Sequence, residues 1–70
     1  MIMAELIQPV TASRNARHAY WRKHGPGGNR VDAELAADLA YNAAVLAGPE
    51  SWQAAYPLRN EKDDHARADV

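Results

Sequence analysis

No cysteine and no phenylalanine occur in this chain. The first absence removes disulfides and thiolate metal sites together, and fits a reducing compartment, so a cytoplasmic protein is expected. The second, with only two tryptophans and three tyrosines, leaves few side chains large enough to build a core. No apolar run reaches the length of a membrane span, so no membrane partner is expected. The start, Met1 to Val10, is too short for a secretory signal and lacks its basic flank. Histidines are sparse as well: His18 and His24 stand six apart, which does not put two ligands on one helical face, and neither metal nor cofactor is expected.

What is present is alanine. The hydrophobic fraction is 47%, but 15 of those residues are alanine, which favours helix strongly and offers little apolar area. Seventy residues form one small domain at most, and a core this poor in large side chains needs help from outside the chain. The expected architecture is all-α: a helical hairpin, about 12–24 and 33–47, plus a short third helix at about 49–56, with its core completed by dimerisation. Residues 1–58 form the domain, with 1–10 a hydrophobic arm over the core, and 59–70 a charged, flexible tail. Thr11 or Ser13 is expected to cap the first helix and Gly25-Pro26 to end it. Asp32, or Asn29 three residues earlier, caps the second. Gly48-Pro49 stops that helix, with glycine in the left-handed position. Ala12, Ala16, Ala19 and Tyr20 share one face of the first helix.

Charge is sorted along the chain. Arg14, Arg17, Arg22, Lys23 and Arg30 fall in a stretch without an acid, and Asp32, Glu34, Asp38 and Glu50 in a stretch without a base. A net charge of −1 therefore conceals a basic first helix followed by an acidic second one. One-signed surfaces attract their opposites and steer association. When two such helices pair antiparallel, their charges also meet at the rim. On the first helix, Arg14, Arg17 and Arg22 with Trp21 make a candidate contact surface for an acidic patch on a larger protein, since tryptophan and arginine dominate binding hot spots. The same residues could stack on bases and meet phosphates, a nucleic-acid reading that the near-neutral charge disfavours. In a chain short of large side chains, Trp21 also has a claim to be core.

On the second helix, Leu35, Leu39, Asn42 and Leu46 follow the 4-3-4 rhythm of a helix-pairing seam, beside a row of Ala36, Ala40, Ala43 and Ala47. This seam is the expected dimer interface, with Asn42 either pairing across it or sitting wet at its edge. Catalysis finds no foothold. Ser13 and Ser51 read as helix-start residues, Glu34 and Asp38 lie one turn apart with no pocket in prospect, and the Gly25–Asn29 loop lacks the Lys-Ser/Thr ending of a phosphate loop. No catalytic residue is therefore expected. By elimination, the sequence points to a non-catalytic binding protein that docks on a larger protein and modulates or inhibits it. Small accessory proteins of phages and mobile elements share this size and build, an analogy of size alone. A nucleic-acid-binding regulator and a self-assembling structural component are the alternatives.

Overall fold

A computed structural model describes residues 6–59, all helices and connections with no strand among them. Helix α1 spans Pro9–His24, a 3₁₀ turn covers Gly25–Gly27, α2 spans Arg30–Ala47 and α3 spans Glu50–Ala55. This is the expected hairpin with a short third helix. Residues 1–5 and 60–70, most of the expected arm and tail, lie outside the described residues.

Helix α1 begins three residues earlier than expected. Pro9 occupies its first turn, where the missing N–H would have no intrahelical partner and the fixed φ suits a helix. Thr11 and Ser13 are consequently interior to the helix rather than caps. Gln8 precedes the helix in extended conformation, without a side-chain cap bond. At the other end Gly25 adopts φ +58° and donates its N–H to the Trp21 carbonyl, which side chains with a Cβ do at a cost.

Helix α2 also begins earlier than Asp32 would place it. Asn29 is the cap: its Oδ1 accepts the Val31 N–H at 2.7 Å, while its own N–H donates to the Tyr20 hydroxyl at 2.7 Å. The turn is thereby tied to α1 and to the start of α2 through one residue. Gly48 ends α2 in extended conformation, φ −85° and ψ −170°, not in the left-handed one. Its lack of a side chain serves a different need, because the Trp52 ring lies where a Cβ would be. Pro49 precedes α3 and Tyr56 closes it, its hydroxyl donating to Gln8 Oε1 at 3.0 Å.

The core is a single line of contact between α1 and α2. Ala33, Ala37, Tyr41 and Val45 are its buried hydrophobic residues, one every four along α2, forming one ridge of the helix surface. On α1 the buried residues are Pro9 and Ser13. The result is a flat layer with Cα extents of 42 × 25 × 11 Å, too thin for either broad face to be shielded by a second layer.

Candidate functional site

Three surfaces arise from this packing. The first is a polar ladder along one side of the α1–α2 seam. Arg17 reaches across to Glu34 with Nε at 2.9 Å from Oε1 and Nη2 at 3.1 Å from Oε2, a two-pronged pairing of the planar guanidinium with a carboxylate. The hydrogen bonds from Arg17, joined by its charge, hold the Glu34 carboxyl below its ordinary range against the opposing effect of burial. The same bonds raise the Arg17 guanidinium further. Opposite charges thus meet at the rim of the hairpin, as the sorted sequence implies.

One turn further along α2 the ladder turns inward. Asp38 is only 2% exposed, and its Oδ1 accepts from Arg59 Nη1 at 3.1 Å. The same nitrogen lies 3.3 Å from the buried Ser13 Oγ, and the guanidinium carbon sits 4.1 Å from the centre of the Tyr41 ring, within cation–π range. Asn42 completes the arrangement. Its Nδ2 donates to the Arg59 carbonyl at 2.8 Å and its Oδ1 accepts the Arg59 N–H at 2.9 Å. A side-chain amide here pairs with a backbone as a neighbouring strand would. Asp38 Oδ2 is buried without a hydrogen-bond partner among the described residues. Arg59, read from the sequence as the first residue of a loose tail, is therefore anchored at both backbone and side chain.

The second surface is apolar. Leu6, Ile7, Ala12, Ala40, Ala43, Ala44, Ala47, Gly48 and Trp52 line an open groove of about 500 Å³. Trp52 stacks edge-on against Tyr56, ring centres 5.8 Å apart, which fixes the indole over Gly48. Around the outside of α2, away from its buried ridge, helical spacing places Leu35, Leu39 and Leu46 beside Ala36, Ala40, Ala43 and Ala47. Leu39 is 52% exposed and Leu46 58%. Of the four seam residues expected to form a dimer interface, the three leucines face outward or part-outward. Asn42 does not offer its amide to a partner, because Arg59 already uses it.

The third surface is the outer face of α1. Arg14, His18 and Arg22 are exposed and recur at helical spacing on one side with Trp21. Among the described residues neither Arg14 nor Arg22 has an ion-pair partner, whereas Arg17 is held by Glu34. Arg17 thus separates from the other expected contact residues. Trp21 divides its surface between two roles. It packs edge-on against Tyr20, centres 5.3 Å apart, and its ring lies so close beneath Gly28 that a Cβ there would come within 2.6 Å of it. Yet 37% of the residue remains exposed. The His24 ring also packs on Tyr20, tilted by 33° with centres 4.4 Å apart.

Among the described residues no group of three or more His, Asp or Glu side chains is arranged to hold a metal ion, and no helix is long and apolar enough to cross a membrane. Sequence reasoning missed the joint role of Ser13, Asp38, Tyr41 and Arg59. Asp38, Tyr41 and Asn42 at i, i+3 and i+4 share one side of α2, which is a legible signal. That the arginine completing them comes from beyond α3 is not. Compared with known proteins, the chain matches no family model, no curated protein and no solved structure.

Proposed function

We propose that the chain is a small non-catalytic binding protein of the cytoplasm. Two copies pair through the outer face of α2, and the basic face of α1 docks on an acidic patch of a larger protein whose activity it modulates. The observation that carries this reading is the inverted placement of its apolar side chains. The buried hydrophobic residues are Ala33, Ala37, Tyr41 and Val45, while Leu6, Ile7, Val10, Leu39, Leu46 and Leu58 are each more than half exposed. A helix apolar on nearly all sides is ordinarily covered on more than one, and contiguous exposed apolar area marks interaction surfaces.

A second copy suits the outer face of α2 because that face is self-complementary. Its leucine ridge runs beside its alanine trough, so a two-fold axis seats the ridge of each copy in the trough of the other. The larger partner is assigned to α1 instead, where Arg14 and Arg22 are exposed around a partly open indole. Both ends of the ideal hot spot are there: a rigid aromatic and guanidiniums able to meet carboxylates.

The test pairs two measurements on the full chain. Light scattering on a size-exclusion column should give twice the chain mass for the native protein and the chain mass for the Leu39→Glu, Leu46→Glu variant. Tagged protein incubated with nuclease-treated lysate of the source cell should retain one protein in stoichiometric amount, and Arg14→Glu with Arg22→Glu should lose it while keeping helicity. A native protein that is monomeric at high concentration and retains nothing overturns the proposal. Retention of nucleic acid from untreated lysate, falling steeply with salt, moves α1 to the nucleic-acid reading.

A further inference from the structure

The recess formed by Ser13, Asp38, Tyr41 and Asn42 has every element of a peptide-reading site for arginine. We propose that it binds an arginine-bearing extended segment of a partner protein, and that the chain's own Pro57–Arg59 fills it as a displaceable internal ligand.

Three observations converge. Asn42 holds the Arg59 backbone through both its N–H and its carbonyl, a contact that recognises an extended peptide without regard to its sequence. Residue identity is then read by the pocket: a buried carboxylate, a buried hydroxyl and an aromatic face surround the guanidinium. Each suits a planar delocalised cation better than a compact ammonium. Finally, the internal ligand fits imperfectly. One nitrogen of Arg59 serves both Asp38 Oδ1 and Ser13 Oγ, while Asp38 Oδ2 lies buried and unpaired among the described residues. A guanidinium presented from a better angle could span both carboxylate oxygens, the geometry Arg17 achieves on Glu34. A buried acceptor left unmade is a cost that such a ligand removes.

Tethering keeps the weaker ligand in place. A short connection gives the internal segment an effective concentration on the order of millimolar, and a competing peptide sees the site reduced by the fraction already filled. The recess uses Ser13, Asp38, Tyr41 and Asn42 and none of Leu39, Leu46, Arg14, Trp21 or Arg22, so it shares no side chain with the surfaces assigned to the dimer and to the larger partner. This inference rests on the proposed binding role only in supplying a partner, and its failure leaves that role standing.

The probe is a fluorescein-labelled peptide with the sequence of residues 56–60, Tyr-Pro-Leu-Arg-Asn, titrated by anisotropy against full-length protein. The Arg59→Ala variant should bind it about tenfold or more tightly than the native chain, in proportion to the internal occupancy removed. Lysine in place of the peptide's arginine should abolish binding, as should Asp38→Asn added to Arg59→Ala. If Arg59→Ala loses helicity, recovery of helicity on adding the peptide supports the proposal by complementation in trans. No binding by a folded Arg59→Ala variant, equal affinity for the arginine and lysine peptides, or an unfolded variant that the peptide does not restore would each overturn it.

Discussion

Replacing Asn42 by leucine separates two pictures of α2. Were Asn42 a lone polar break in a leucine seam, Asn42→Leu would continue the row from Leu35 through Leu46 and stabilise the protein. The structure gives the opposite sign. The side chain makes two hydrogen bonds to the Arg59 backbone, at 2.8 and 2.9 Å, each contributing about 0.5–1.5 kcal/mol net. Their loss costs about 1–3 kcal/mol. Leucine returns a few tenths of a kcal/mol, about 0.3–0.5, through better helix propensity. Loosening Arg59 also weakens its contact with the buried Asp38, which adds to the loss. A net destabilisation of about 1–2 kcal/mol corresponds in a domain this small to a fall in Tm of about 5–15 °C. Circular dichroism at 222 nm, followed through thermal unfolding at matched protein concentration, reads it directly. Asn42→Asp, which keeps the acceptor and removes the donor, should fall between. A Tm for Asn42→Leu equal to or above that of the native chain would refute the assignment of the amide to Arg59.

Three further outcomes follow from the same contacts. Gly48→Ala should expel the Trp52 ring from its place over the α2 terminus, lowering stability by about 1–3 kcal/mol as overpacking does and red-shifting tryptophan emission; an unchanged spectrum would put the ring elsewhere. Gly28→Ala should do the same at Trp21, whose ring the new Cβ would approach to 2.6 Å, although φ −73° at this position imposes no backbone strain. The Arg17–Glu34 pair should add a small acid-sensitive component. Because the Glu34 carboxyl is held below its ordinary range by the Arg17 hydrogen bonds, its contribution is complete above the unfolded carboxylate pKa and is lost as pH falls through the lower folded one. Both partners are more than a third exposed, so the pair contributes about 0–1 kcal/mol. The Tm difference between native protein and Glu34→Gln should be present at pH 7, decline as pH falls below the ordinary carboxylate range and shrink in high salt.

Local signals in the sequence carried the helices well and their ends less well. Alanine content and the Gly-Pro stops are enough to locate two long helices and a short one, because propensity and termination act within a few residues. The starts moved because two competing local devices had to be ranked. Proline at a first helical position outweighed the hydroxyls of Thr11 and Ser13, and Asn29 outweighed Asp32 because Tyr20 fixes its backbone from another helix. The meeting of Arg17 with Glu34 was legible from charge sorting and an antiparallel hairpin. The anchoring of Arg59 was not: Ser13, Asp38 and Arg59 are brought together only by the closing of α1 on α2 and the return of the chain after α3. The split character of Trp21 was equally hidden, since its shielding comes from a glycine seven residues on, whose only contribution is the room it leaves.

The alanines of the groove carry a consequence of their own. Ala40, Ala43, Ala44 and Ala47 have no rotamers to freeze, so the second copy proposed above would cover these positions at no cost in side-chain freedom. The relief of this alanine row is set by backbone alone. Such a surface cannot remodel itself to suit an ill-fitting visitor, as one built from methionine or lysine can, and selects its occupant by contour. The two carbons added by Ala43→Val would stand proud of it and turn away the second copy proposed above.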